Sequence, residues 1–404
     1  MTAILPEMPI ERQTPLDPPT AYHELREDLP IVRMRFPSGQ EGWLVTRFDE
    51  GSQVFSDPRM SSTLRSRHDI PGEEGVEPAV GLVSFGTTFV EMDAPDHTAY
   101  RRLLAGKFSP KAVGLRLQPF IDRIVTEQLD AMAAGPRPVD FVQAMSMPIP
   151  CLVICELLGV PARDRHDFHS ATDVMMDTSK SKAQRDAGSS WLVDYVTGLV
   201  ALKRRDPHAE GLLAELIRSS GEEGSIVTDQ DLVSVGVLLL FAGHDTTMAM
   251  LGLSTLTLLT HPDQRARFVS DPAMVGPAVE ELLRYLTIVQ FGLSRRATED
   301  LELGGQHITA GELVVVSMAA ANRDPRAFAN PDVPDLDRKM ARHLAFGYGV
   351  HQCLGQNVAR AELRTVLPRV FEQFPNLRLA VPQDEVPMDV HGTNYGVKKL
   401  MVTW

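Results

Sequence analysis

The sequence has little cysteine and no excess of basic residues. Its 404 residues include three cysteines, Cys151, Cys155 and Cys353, which excludes a disulfide framework and fits a reducing cytoplasm. A net charge of −13 and a pI near 5.4 argue against nucleic-acid binding, which normally needs a basic surface. The N-terminus has no basic segment followed by an apolar run, so we expect neither a signal peptide nor a membrane anchor.

Charge is also missing from one long apolar run, residues 232–260, where Asp245 is the one side chain certain to be charged at neutral pH. The run is long enough to cross a bilayer. A carboxylate at its centre would be costly in lipid, and neither a second span nor a flanking basic cluster supports insertion. We therefore expect the buried central helix of a large helical protein that does not enter a membrane.

Apolar spacing and Pro/Gly punctuation predict a mainly α fold with small β-sheets. Further helices are predicted at 19–28, 119–134, 151–160 and 276–286. Strands are predicted at 41–48, at 300–320 with turns at Gly304–Gly305 and Ala310–Gly311, and at the C-terminus. We expect residues 66–92 to form a long loop and residues 170–190 to form a polar crossover. Without a repeat or a linker, the chain is predicted to be a single domain, 1–404, with minor β regions near 41–60, 300–320 and 385–404.

The segment "FGYGVHQCLG", residues 346–355, places Cys353 where a glycine-rich loop enters a helix. Free backbone N–H groups and the positive end of the helix dipole favour a thiolate there. Such a thiolate could be a nucleophile, a redox group or an iron ligand. Phe346, Gly349 and Gly355 would let a flat macrocycle lie against the loop. The ordinary alternative is an inert buried cysteine.

The apolar run contains a second informative segment, "AGHDTT", residues 242–247. Helical spacing places five residues on one face: Leu238, Phe241, Ala242, Asp245 and Thr246. Ala242 and Gly243 are small and would let a bulky group approach the helix. The alternative is structural, with Thr246 bonded back to the carbonyl of Ala242 and Asp245 capping a neighbouring group.

Together these segments resemble the cytochrome P-450 superfamily over nearly the whole chain. "FGYGVHQCLG" is similar to its haem-thiolate loop and "AGHDTT" to its oxygen-activating helix. Three other matches follow the family order: "EELLR" with Glu281 and Arg284, "DAPDHTAYRR" (93–102) and "ANRDPRAFANPD" (321–332). The soluble actinobacterial type, which hydroxylates polyketides, statins, terpenoids and xenobiotics, is the most similar. The resemblance implies a single-domain fold with haem between a long distal helix and the helix after Cys353.

The resemblance also implies a cofactor and residue roles. The group is haem b with iron ligated by the Cys353 thiolate, O2 is the co-substrate, and electrons come ultimately from NAD(P)H. Thr246 would position oxygen and a water molecule, and Asp245 would link them to a proton source. The implied cofactor-binding residues are His97, Arg101, Ala242, Gly243, Arg295, Phe346, Gly349, His351 and Gly355. Arg296 is a rival to Arg295, which we prefer for its distance from Asp300.

The substrate pocket is implied by position. Its candidate residues are Phe85, Leu238, Phe241, Val289, Phe291 and Thr393, with Met175 and Met176 as an adaptable roof. Core packing is the alternative for each. The scarcity of charge favours a mid-sized, largely apolar substrate such as a macrolide, a statin-like polyketide, a terpenoid or a xenobiotic. The resemblance does not choose among these.

The family pattern implies a monomer that receives electrons from a separate ferredoxin and ferredoxin reductase. Basic residues expected near the cysteine side are Arg101, Arg102, Lys107, Arg342, Arg360 and Arg364, and they could receive an acidic partner. The sequence departs from the family at Val333, where an arginine is usual, and Arg323 or Arg338 could substitute. Pro368 is expected to kink the helix after Cys353.

Other functions remain open from the sequence. Cys353 and His351 could serve a hydrolase as nucleophile and base, although no third orienting group is evident. A non-catalytic haem protein would give Asp245 and Thr246 no purpose. A haem-thiolate peroxygenase or isomerase is a nearer alternative. In a ligand-free state, His68 or His244 could approach the iron.

Overall fold

The structure is a computed structural model that describes residues 5–63, 88–176, 180–220, 227–339, 342–390 and 392–404. Its α-helices, in chain order, are α1 (Ala21–Asp28), α2 (Phe48–Ser56), α3 (Asp96–Ala105), α4 (Pro110–Arg116), α5 (Gln118–Ala134), α6 (Pro148–Leu158), α7 (Arg165–Met176), α8 (Lys182–Arg205), α9 (Leu212–Ser220), α10 (Asp229–Thr260), α11 (Pro262–Ser270), α12 (Val275–Leu286), α13 (Met318–Ala321) and α14 (Gln356–Gln373). The strands are β1 (Ile31–Arg35), β2 (Glu41–Val45), β3 (Met60–Ser61), β4 (Val139–Asp140), β5 (Leu293–Ala297), β6 (Leu301–Leu303), β7 (Gln306–Ile308), β8 (Leu313–Val316), β9 (Arg378–Leu379), β10 (Met388–Asp389), β11 (Gly396–Val397) and β12 (Met401–Thr403). The protein is mainly α with small sheets, as the sequence predicts.

The long apolar run forms α10, the central helix of the fold. A reciprocal cap starts it: the Asp231 N–H donates to the Thr228 hydroxyl over 3.2 Å, and the Thr228 N–H donates to the Asp231 carboxylate over 2.8 Å. Its most apolar window has a mean hydropathy of 1.5, and 72% of that window is buried inside the fold. The helix packs against α6, α8 and α14. Its length and apolarity are therefore those of a core helix.

Two glycines let other helices cross α10 closely. A Cβ at Gly236 would lie 2.8 Å from Cγ1 of Val196 in α8, and one at Gly243 would lie 2.9 Å from Cδ1 of Ile154 in α6. Any side chain at either position would push the crossing helix away. The space next to Gly243 is thus occupied by α6, whereas the sequence analysis assigned it to a bulky ligand.

The main sheet lies against the N-terminal part of the chain in the order β1-β2-β8-β5-β3. β1 pairs antiparallel with β2, β2 pairs parallel with β8, and β8 pairs antiparallel with β5. In this register Arg295 of β5 lies opposite Val314 of β8. The pairing fixes the backbone of Arg295 in the sheet, so its long side chain starts from a rigid position.

Most predicted elements are confirmed, with one difference. The hairpin β6–β7 turns at Gly304 and Gly305, whose φ angles are 53° and 80°, and Gly311 makes the second turn with φ 88°. Residues 170–176 and 182–190 are helical, in α7 and α8, where the sequence analysis expected a polar crossover. β1 and α2 were not predicted. Of the predicted loop 66–92, residues 64–87 lie outside the described part of the chain.

Candidate functional site

The loop before α14 brings Cys353 to the interior. The Cys353 N–H donates to the Phe346 carbonyl over 2.9 Å, which closes the loop. Gly347 and Gly349 have φ angles of 66° and 74°, in the left-handed region that favours glycine. A Cβ at Gly349 would clash with the carbonyl oxygen of Phe55 at the end of α2. Gly349 is therefore required by the contact between this loop and α2.

Opposing effects act on the Cys353 thiol. The side chain is accessible, unlike those of Cys151 and Cys155, yet it lies deep in the molecule, and this burial raises its pKa. Backbone N–H groups of Gly355 and Gln356, at the start of α14, bond to the sulfur and lower the pKa in part. The sequence analysis considered only the N–H groups at the helix start, whose effect on the pKa is smaller than that of burial. A further positive group at the sulfur is needed to make the thiolate dominant.

Four basic side chains converge near the cysteine. His97 of α3 lies against His351, with ring centroids 3.9 Å apart, and Arg101 is one turn after His97. Arg295 is 8% exposed, and burial lowers its pKa to about 10. The pKa of His351 falls to about 3 because of burial and then the charge of Arg295. Buried cations need anionic partners, so this cluster fits a ligand that carries carboxylates.

Asp93 is a carboxylate of the protein that faces this cluster, and the sequence analysis gave it no role. It attracts Arg295, His97 and His351, which opposes the fall in their pKa values. The Ser62 N–H, at 2.9 Å, and the hydroxyls of Ser61 and Thr63 donate to its carboxylate. Asp93 opens the segment 93–102 that was singled out for His97 and Arg101, so its position next to them could have been noticed.

The structure separates the two rival arginines at 295 and 296. Arg295 is near enough to His97 and His351 to lower the pKa of each. Arg296 points elsewhere and donates to the Gly311 carbonyl over 2.5 Å. Successive residues of a strand point to opposite faces, so only one of the two can reach the cluster. The geometry favours Arg295, the residue that the sequence analysis preferred.

One short patch of α10 is accessible although the helix around it is buried. Ala242 is exposed, and Gly243 and Thr246 are partly exposed. The Thr246 hydroxyl donates to the Ala242 carbonyl over 2.7 Å, which is the back-bonded arrangement considered for it. Leu238 and Phe241 are 4% and 8% exposed and pack in the main core, so the structure does not bring them to open space. His244 is likewise buried, at 3%.

Asp245 is buried in a mostly apolar environment, with 8% of its surface exposed. The Asn394 side-chain amide donates to its carboxylate over 2.7 Å. Burial raises the pKa of Asp245 to about 6, Asn394 opposes that rise, and the charge of Asp389 adds to it. The carboxyl therefore changes protonation state close to neutral pH, as a proton-transfer group requires. The sequence analysis named the neighbouring Thr393 as a pocket residue and did not anticipate this bond.

Two extended segments border this patch. The Tyr395 N–H donates to the Ile288 carbonyl over 2.7 Å, and the Gln290 N–H donates to the Thr393 carbonyl over 3.0 Å. Val289, Phe291 and Thr393 are partly exposed, as expected for a pocket wall. Met175 is buried, at 5%. Phe85 and His68, and the side chain of Met176, lie outside the described part of the chain.

Helix α12 contains a buried ion pair. Arg284 donates to both carboxylate oxygens of Glu281 over 2.7 Å, and both side chains are inaccessible. The Arg338 guanidinium donates to Glu281 over 3.1 Å, so Arg338 supplies the third basic group that Val333 does not. Arg323 instead bonds to Asp332 over 3.0 Å. Of the two substitutes that the sequence analysis named, Arg338 is the one at Glu281.

Several cations expected to receive an electron-transfer partner are paired within the chain. Arg360 donates to both carboxylate oxygens of Glu280 over 2.8 and 2.9 Å, and Arg364 donates to the same group over 3.0 Å. Lys107 pairs with Glu215. The sequence analysis treated these three as accessible cations, and the intramolecular pairs leave less of their charge for a partner.

A cavity of about 610 Å³ lies away from these residues. Its lining mixes charged and apolar side chains, including Arg116, Glu156, Leu199, Lys203 and Glu215. None of the candidate site residues named above for a cofactor or substrate lines it. It is therefore separate from the site around Cys353.

The observed groups together fit haem b. Cys353 is the thiol at the start of α14, the basic cluster suits two carboxylates, and the patch on α10 can border a flat ring. In the described ranges, no group of three or more His, Cys, Asp or Glu side chains could hold a metal ion. A metal at Cys353 would therefore need most of its ligands from a bound group such as a porphyrin.

Known proteins match the chain over its length. The cytochrome P-450 family model matches residues 274–400. Pentalenic acid synthase of Streptomyces avermitilis is 41% identical, and the match covers 98% of this chain and 96% of that one. The chain belongs to the cytochrome P-450 family. Vitamin D3 dihydroxylase of Streptomyces griseolus is another cytochrome P-450 relative, 38% identical over 100% of this chain and 98% of its own.

Solved structures of cytochromes P-450 agree with the fold. The CYP105 enzyme MoxA from Nonomuraea recticatena has a TM-score of 0.88 and 42% identity, and the match covers 98% of each chain. CYP105P1 in complex with filipin I has a TM-score of 0.89 and 39% identity over 99% of each chain. The chain is therefore a soluble cytochrome P-450 monooxygenase, a haem-thiolate enzyme that uses O2 and electrons derived from NAD(P)H. The hydrolase and the non-catalytic haem protein are thereby excluded.

Proposed function

We propose that this cytochrome P-450, as one domain over residues 1–404, hydroxylates a mid-sized, largely apolar small molecule. The observation that carries the proposal is the position of Cys353. Its sulfur accepts N–H bonds at the start of α14, close to a cluster of basic side chains. A haem bound there would supply O2 binding and electron acceptance, and the Cys353 sulfur would hold its iron.

The residues around that position have two roles: some bind the haem, and others transfer protons. His97, Arg101, Arg295 and His351 hold the two haem carboxylates, and their burial excludes water from those bonds. The remaining contacts to the ring are Ala242, Phe346, Gly349 and Gly355, while Gly243 packs against Ile154 of α6. Thr246 and Asp245 are the catalytic residues: the Thr246 hydroxyl orients a water molecule, and the Asp245 carboxyl gives and takes protons near neutral pH.

The substrate occupies the space next to Thr246. Val289, Phe291 and Thr393, which are partly exposed, form its wall. An apolar wall favours a macrolide, a statin-like polyketide, a terpenoid or a xenobiotic. Relatives support a broad range: one is named for pentalenic acid, another for vitamin D3, and a third structure contains filipin I.

The electron donor is a separate ferredoxin, itself reduced by a ferredoxin reductase, and the enzyme works as a monomer in the cytoplasm. The support for this proposal is that bacterial enzymes of this kind use such partners. Arg102 and Arg342 are exposed basic residues next to the cofactor elements α3 and the Cys353 loop. They are the cations best placed to receive an acidic ferredoxin.

The test is the absorption spectrum of the purified protein after reduction with dithionite and exposure to carbon monoxide. A thiolate-ligated haem gives a strongly red-shifted Soret band, which Cys353→Ser should abolish. Cys151→Ser is the matched control, because Cys151 is buried in α6 and should leave the band unchanged. The same red-shifted band in Cys353→Ser would contradict the assignment of the iron ligand.

A further inference from the structure

The C-terminal hairpin reaches the buried acid of α10 through a single side chain. Asn394 lies between β10 and β11 and donates from Nδ2 to Oδ2 of Asp245 over 2.7 Å. An amide that donates to a buried carboxylate makes a charge-assisted bond with a defined direction. No hydrogen bond joins Asp245 to Thr246 among the described residues, so Asn394 is what orients the carboxyl.

Asn394 is itself held rigidly by the pocket wall. Its backbone forms a bridge with Val289, and the flanking bonds run from Tyr395 to Ile288 and from Gln290 to Thr393. The Gln290 side chain donates to the Gly392 carbonyl over 2.6 Å. The extended segment that carries Val289 and Gln290 therefore fixes Asn394, and through it the acid.

We propose that Asn394 is a positioning residue for proton delivery: it orients the Asp245 carboxyl toward the hairpin and couples it to the substrate wall. The inference rests on the proposed function, in which Asp245 serves Thr246. Among the described residues, the charged group that shifts the pKa of this carboxyl is Asp389 of β10, which repels it and pairs with Lys398 over 3.8 Å. An uncharged donor keeps the acid oriented without fixing it as an anion, so it can still exchange protons.

Asn394→Leu removes the amide donor at similar volume, and Asn394→Gln restores an amide on a longer side chain. The first readout needs no turnover: infrared titration of the carboxyl band that is lost in Asp245→Asn. We expect Asn394→Leu to raise the apparent pKa of that band by about one unit, the tenfold change produced by losing about 1.4 kcal/mol of stabilisation of the charged form. Asn394→Gln should recover most of the shift.

The second readout is the share of consumed NADPH that appears as product instead of hydrogen peroxide, with its dependence on pH and on deuterated water. Asn394→Leu should lose coupling several-fold and increase the solvent isotope effect, while Lys399→Ala, at an exposed neighbouring position, should match the parent protein. An unchanged carboxyl pKa and unchanged coupling in Asn394→Leu would overturn the inference. If Thr246→Ala also retained full coupling, the proposed function of the Asp245–Thr246 pair would fail as well.

Discussion

The pKa values of single side chains at this site depend on burial more than on neighbouring residues in the chain. Asp245 sits in the long apolar core helix α10, and loss of water, not a nearby charge, is the main cause of its raised pKa. Cys353 follows the same rule, since burial outweighs two N–H bonds. In both cases the protein environment alone favours the neutral form. The ionised form of Cys353 therefore depends on a positive group bound beside its sulfur, whereas Asp245, with a pKa of about 6, still ionises near neutral pH.

Asp245→Asn should make stability less sensitive to pH. The folded pKa of about 6 exceeds the ordinary aspartate value of 3.8, so the native state binds the proton more tightly and stability falls as pH rises between these values. Full ionisation costs about 3 kcal/mol, which Asn avoids. Denaturant unfolding of both proteins from about pH 4 to pH 8 should show the variant gaining about that much over the parent. A pH-independent difference between the two would contradict the raised pKa.

Gly349→Ala should destabilise the Cys353 loop. An alanine there must adopt φ 74° and place its Cβ against the Phe55 carbonyl, which costs about 1–3 kcal/mol or forces the loop away from α2. We expect a lower free energy of unfolding and a lower haem content. Gly106→Ala is the control, because φ is −61° and no atom lies within 4 Å of the added Cβ. Equal stability of the two variants would show that the close contact has no cost.

At the scale of elements, the site is held by contacts between segments far apart in the chain. Glu281 of α12 bonds to Arg284 and to Arg338, which lies in the segment before the Cys353 loop. Glu280, the adjacent residue, accepts from Arg360 and Arg364 of α14 and bonds to His343. Glu280 and Glu281, adjacent residues of α12, thus hold in place the segment before the Cys353 loop and helix α14 after it.

Arg338→Ala should destabilise the protein by about 2 kcal/mol, because Glu281 loses a hydrogen bond to a charged group while remaining buried. Arg284→Ala leaves the same carboxylate without its bidentate partner and should cost more, about 3–5 kcal/mol. Arg326→Ala is the control at a 45% exposed position, with a change within about 0.5 kcal/mol. Chemical unfolding of the three variants ranks their losses in the free energy of unfolding. An Arg338→Ala protein as stable as Arg326→Ala would count against a stabilising bond between Arg338 and Glu281.

At the scale of the whole molecule, a strongly acidic chain would have to present a basic area to the acidic ferredoxin proposed as its electron donor. The net charge is −13, and pairs with Glu280 and Glu215 occupy several of the cations near the cysteine. Arg102 and Arg342 remain exposed. Docking on this face should therefore depend on few charges and respond strongly to salt.

Arg102→Glu should slow reduction of the enzyme by a ferredoxin several-fold at low ionic strength, because it repels an acidic partner during encounter. The difference should shrink at about 0.5 M salt, where the Debye length is a few ångströms. Arg205→Glu, at the exposed end of α8, is the matched control. Stopped-flow reduction under carbon monoxide measures the rate, and an Arg102→Glu rate equal to that of the control at low salt would exclude this docking face.

Features set by local spacing were determined by the sequence itself. The cap of α10, the Gly304–Gly305 turn, the Cys353 loop and the one-turn separation of Glu281 and Arg284 each follow from residues within a few positions of one another. The mainly α fold follows from the same periodicities, because helical spacing and caps act locally. The family resemblance rests on these short motifs and was confirmed.

Only the tertiary structure decided which distant residues meet. Arg338 bonds to Glu281, and Asn394 bonds to Asp245. Ile154 packs against Gly243, and Glu280 pairs with Arg360, one of the cations expected to dock a partner. Arg295, and not Arg296, lies near His97. Such pairs join segments tens to hundreds of residues apart, and their strength depends on burial, which a single sequence does not encode locally. The identity of the enzyme was therefore available from the sequence, whereas the positions and protonation of its working side chains depended on packing.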